Sequence, residues 1–93
     1  MMEQEAEQLS IVLLKIVGLL NQTAAFVREK DSDENWNQYR QAVGKAMGQI
    51  CLDMEEPLFE RFPHLRPKQL GGVYEVDPKI YEPVFYISEQ KNT

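Results

Sequence analysis

Apolar residues recur at helical spacing from Glu3 to Lys30, a stretch with no proline and a single glycine, Gly18. Leu9, Leu13, Ile16, Leu20, Ala24 and Val27 fall on one face, and Val12, Leu19 and Phe26 form a heptad-spaced second line beside it. Ile11, Leu14, Val17 and Ala25 widen the apolar surface, leaving a narrow polar line of Gln8, Lys15, Gln22 and Glu29. The pattern predicts one helix over residues 3–30, roughly 40 Å long at about 1.5 Å per residue, that needs neighbours on more than one side. Glu3, Glu5 and Glu7 near its start and Arg28 and Lys30 at its end match the sign of the helix dipole.

A polar break, Asp31 to Glu34, supplies helix caps, with Asp31 and Glu34 at the spacing of an Asp version of the capping box. A second helix is expected over residues 32–56, stopped by Pro57. Its main apolar stripe is Trp36, Val43, Met47, Ile50 and Met54, with Tyr39 and Cys51 at the edge. Gly44 and Gly48, four residues apart beside that stripe, predict a close helix crossing, because each glycine costs about 1 kcal/mol of helix propensity relative to alanine.

All five prolines and the Gly71-Gly72 pair lie in the last third. Residues 57–88 therefore read as an irregular Pro-rich segment. Within it Leu58 to Phe62 can make a short helical turn, and Pro67 to Leu70 another, closed by Gly71 as the residue just past the helix end. Val73 to Val76 alternates. Pro83 to Ser88 is aromatic and β-branched and reads as an extended stretch packed on the helices, limited by Pro83 to a sheet edge. Residues 89–93 read as a frayed tail.

With 93 residues the chain is one domain. Its 10 Lys and Arg against 15 Asp and Glu give a net charge of −5, which argues against nucleic-acid backbone binding. One cysteine excludes an intrachain disulfide and fits a reducing compartment. The apolar run Ile11 to Leu20 does not read as a signal peptide, because acids rather than bases precede it, nor as a membrane span, because it is half the needed length and contains Lys15. The expectation is a cytoplasmic protein with no membrane or nucleic-acid partner.

Candidate chemistry is sparse. His64 is the only histidine, there is no nucleophile elbow, and Cys51 sits on a helix face that reads as packed. Glu60 and His64 stand at a metal-ligand spacing, but Pro63 intervenes and there is no second histidine. Asp53, Glu55, Glu56 and Glu60 read as a solvated acidic face near a bend. No phosphate-binding loop or cofactor motif is present. Arg61, His64, Arg66 and Lys68 form a basic island in an acidic chain. They either pair with Asp53, Glu55 and Glu56 across the bend or present a binding surface to an acidic peptide or carboxylate, with His64 adding pH dependence.

The string RQAVGKAMGQICLDMEEPLFERFPHLRP, Arg40 to Pro67, resembles the central segment of short, functionally uncharacterised bacterial helical proteins. The shared features are paired Gly-x-x-x-Gly, an Asp one turn later, and Pro before a His-Leu-x-Pro bend. The resemblance implies a bacterial origin and a helical fold and carries no catalytic residues across.

The expected fold is mainly α: a long antiparallel helical hairpin, then the Pro-rich segment, with two hairpins making a four-helix homodimer through Val12, Leu19, Phe26, Gly44 and Gly48. The expected function is that of a non-enzymatic interaction or regulatory protein without a cofactor, because the apolar surface exceeds what one hairpin covers. An acidic immunity or antitoxin-type inhibitor of a basic protein is the first alternative. A small enzyme using Asp53, Glu56 and His64 is the second.

Overall fold

A computed structural model describes residues 1–85 of the chain. Helix α1 runs Glu3–Lys30, as the spacing predicts, and helix α2 runs Asp33–Gln49. The Glu5 carboxylate accepts the Met2 backbone N–H at 2.7 Å and so starts α1. The cap of α2 is Ser32, not the expected Asp31–Glu34 pair. Its hydroxyl accepts the Asn35 N–H at 3.1 Å, while Asp31 Oδ1 accepts the Ser32 N–H and the Asn35 side-chain amide. Those two bonds hold the Asp31 carboxyl below its ordinary pKa, the Asn35 amide contributing most.

Pro57 does not stop the second helix. Residues Ile50–Glu55 widen into a π-helical turn, and a short helix α3 continues over Glu56–Arg61 with Pro57 in its first turn. A proline ring collides with the carbonyl one turn back and offers no N–H to it. Widening the preceding turn changes the bonding there, so that the Glu56 N–H reaches back five residues to the Cys51 carbonyl. The wider turn also takes up one extra residue and rotates everything after it. The stripe Val43, Met47, Ile50 was expected to continue at Met54, but Met54 is exposed and Glu55 takes the inward position, followed by buried Leu58 and Phe59.

The two long helices pack together as the arms of a hairpin do. Near the turn the Tyr39 hydroxyl donates to Thr23 Oγ1 at 2.8 Å, and at the far end Ala6 and Leu13 of α1 join Leu58, Phe59 and Leu65 in the core, with Ile50, Phe62 and Tyr74 against it. The inward face of α1 is thus Ala6, Ser10, Leu13, Leu14 and Ala24. Leu9 and Ile16, which the spacing groups on one face with Leu13 and Ala24, are exposed.

After α3 the chain makes short 3-10 turns at Pro63–Leu65, Lys68–Leu70 and Pro78–Tyr81. The second is closed as expected by Gly71, whose φ of 88° is the left-handed value that glycine adopts without strain. Tyr74 meets Pro67 in an isolated parallel bridge, and its hydroxyl donates to Glu7 of α1 at 2.6 Å. Among the described residues there is no strand in the aromatic stretch: Pro83 to Phe85 is irregular, and the rest of that stretch and the tail lie outside the described residues.

The Pro78–Tyr81 turn lies against α1, and Gly18 makes room for it. A Cβ at Gly18 would stand 2.6 Å from the Tyr81 ring. One turn on, the Gln22 amide clamps the same segment: its nitrogen donates to the Tyr81 and Glu82 carbonyls at 3.3 and 3.2 Å, and its oxygen accepts the Val84 N–H at 3.0 Å.

Candidate functional site

The basic island is turned inward on the chain. Arg66 grips Glu56 with two parallel bonds of 2.7 and 2.8 Å while its guanidinium lies 5.4 Å from the Phe59 ring centre. The hydrogen bond from Arg66 holds the Glu56 carboxyl below its ordinary pKa. His64 Nε2 meets Glu3 Oε2 at 2.6 Å, tying the bend to the start of α1, and Lys68 reaches Glu75 at 3.4 Å. The Arg61 guanidinium lies 5.4 Å from the centre of the Phe62 ring. Of the acids expected opposite this island only Glu56 is its partner; Glu3 and Glu75 come from elsewhere in the chain.

The acidic run is not one solvated face. Asp53 and Glu60 are exposed, Glu56 is half-buried with Arg66, and Glu55 is 2% exposed, with its Oε2 lacking a hydrogen-bond partner. Burial pushes the Glu55 carboxyl up from its ordinary pKa; its bond with Cys51 works the other way. The Cys51 thiol is itself pushed up, first by burial and then by Glu55, which disfavours the nucleophilic thiolate. Asp53, Glu56 and His64, grouped in the enzyme reading, are thus one exposed acid and two residues with different partners. Among the described residues no group of three His, Cys, Asp or Glu is placed to hold a metal.

The α1 surface away from α2 is different in kind. Leu9, Val12, Ile16 and Leu19 keep 39, 51, 40 and 37% of their surface in contact with solvent, one beside the next along the helix. At the end of this row Phe26 is also exposed, stacked on Phe85 with ring centres 4.4 Å apart and planes at 15°. Ala25, Pro83 and these two rings line a shallow groove of about 190 Å³. By length and composition α1 is the one helix among the described residues able to cross a membrane.

Gly44 and Gly48 do not mark a crossing of α1 and α2. A Cβ at either would meet nothing within 4 Å. The close approach is at Gly18, which the sequence offered only as the single interruption of α1. Gln22, read as one of a narrow polar line, is the clamp of the C-terminal segment, and nothing in its spacing separates it from Gln8.

No family model, no curated protein and no solved structure matches this chain.

Proposed function

We propose that this chain is a small non-enzymatic interaction protein that works as a homodimer of helical hairpins. The observation that carries this reading is the row Leu9, Val12, Ile16, Leu19 left uncovered on α1. Isolated exposed apolar side chains are ordinary, but a contiguous row of four along one helix marks a surface that associates. Covering it recovers about 25 cal/mol for each Å² of apolar area removed from water. The self-pairing of Arg66, His64 and Lys68 supports a scaffolding role for the bend, so the interaction surface lies on α1.

Light scattering on a sizing column tests this: roughly twice the 10.8 kDa chain mass is expected at micromolar concentration. Ile16→Asp, at an exposed position, is expected to return the monomer with its helical circular dichroism intact. A wild-type monomer at that concentration overturns the reading.

A further inference from the structure

The C-terminal segment is held to α1 by a short series of contacts. The Gln22 amide clamps its backbone at Tyr81, Glu82 and Val84, the Tyr81 ring lies over Gly18, and Phe85 stacks on Phe26. None of residues 77–85 is buried, and none belongs to the core of Ala6, Leu13, Leu58, Phe59 and Leu65. The segment is a strap laid on the helix, and it can lift without opening that core.

Tyr81 of the strap stands within the field of the buried acid of the π turn. Burial, and after it Glu55, pushes the Tyr81 hydroxyl up from its ordinary pKa, while a bond with the Gln69 side chain works the other way. Glu55 itself is buried, and its Oε2 has no hydrogen-bond partner. The other groups around it offer an ionised carboxylate no counter-charge. On its own helix Cys51 bonds to it and Glu56 repels it. Arg66, from the bend, lies in the field of Glu60 but is engaged by Glu56. On α1, which packs against the π turn, Ser10 is equally buried with its hydroxyl also unpaired, and Glu7, one turn back, is bonded by Tyr74.

An ionised Glu55 has two ways to reach water. Turning the π segment outward drags Leu58 and Phe59 from the core, because α3 continues directly from that segment. Lifting the strap moves no buried residue and costs less. We infer that Glu55 is a latch for the strap: neutral, it lets the Pro78–Tyr81 turn close against α1, and ionised, it lifts the segment away. The closed form is fully favoured below the ordinary carboxylate range and loses ground as pH rises through the raised value of Glu55. Lifting bares Gly18, Gln22, Ala25 and Phe26, so pH sets how much of α1 is open to solvent. The latch lies within one chain and is independent of the homodimer reading.

Amide exchange of residues 79–84, quenched on the millisecond scale and read by mass spectrometry, tests the latch. Wild type and Glu55→Gln are compared at each pH from 4 to 8, so that the intrinsic pH dependence of exchange cancels. The two are expected to exchange alike at pH 4, and wild type about tenfold faster at pH 8. Equal rates in this segment at pH 8 overturn the latch even where the melting temperatures differ, because Glu55 then reaches water only on unfolding. Wild type by itself carries the same comparison: the protection of residues 79–84, corrected for intrinsic rates, should fall with rising pH, and a constant value overturns the latch. Gln22→Ala, which removes the clamp, is expected to speed exchange in the segment at pH 4 as well. An unchanged rate shows that the segment is not strapped to α1 there and overturns the proposal.

Discussion

At the scale of single residues, Glu55 sets the clearest expectation. Its carboxyl is buried and one oxygen has no partner, so the folded chain prefers it protonated. Because its folded pKa lies above the unfolded one, its contribution is fully present below the unfolded carboxylate range and is lost as pH rises through the folded value. Around that carboxyl stand Cys51 and Glu56 on its own helix and Tyr81 from the C-terminal turn. Glu55→Gln, which keeps the shape without the charge, is expected to stabilise the fold by about 1–3 kcal/mol at pH 8. Thermal melts of the two proteins should converge near pH 4. A variant no more stable than wild type at pH 8 would show that the carboxylate is accommodated after all. Nothing in the residue pattern marks this residue's special place: Glu55 lies among Asp53, Glu56 and Glu60, and only the extra residue in the π turn brings it to the inward face.

At the scale of elements, the glycines of α1 and α2 should respond to alanine with opposite signs. Gly44 and Gly48 face open space, so alanine there gains helix propensity and is expected to add about 0.5–1 kcal/mol each. Gly18→Ala gains the same propensity but drives a methyl into the Tyr81 ring, an overpacking that costs about 1–3 kcal/mol. The net expectation is a lowered melting temperature and faster amide exchange in the Pro78–Tyr81 turn. If Gly18→Ala melts higher than wild type, the C-terminal turn yields to the methyl and its contact with α1 contributes little. The bounds of α1 were legible because its periodicity is long and unbroken. The fate of Pro57 was not, because a proline ends a helix or widens it according to whether the residues beyond have a core to reach, and here Leu58 and Phe59 do.

At the scale of the whole molecule, 93 residues can bury only about two thirds of their unfolded surface, and the row on α1 remains uncovered. In the proposed homodimer, association becomes part of stability. A dimer is favoured over unfolded monomers by mass action, so the melting temperature is expected to rise with protein concentration. Differential scanning fluorimetry over a hundredfold range of concentration checks this, with Ile16→Asp as the variant whose melting point should stay constant. A wild-type melting point that does not move with concentration argues that the hairpin is self-sufficient.

The sequence by itself determined the helical class, the full span of α1, the Gly71 turn end and the excess of apolar surface on the first helix. Each depends on spacing within a few turns, and the periodicity of one helix is a local property of the chain. The tertiary structure decided which side of α1 is inward, moving Leu9 and Ile16 out and Ser10 in, because an apolar girdle wider than one stripe does not say where the neighbour docks. It also decided the partners of the basic island. Arg66 to Glu56 spans ten residues, but His64 to Glu3 spans 61, and Gln22 meets Glu82 60 residues away. Such pairs are set by how the Pro-rich segment folds back on α1, and a chain of alternating short turns carries no periodic signal of where it will return.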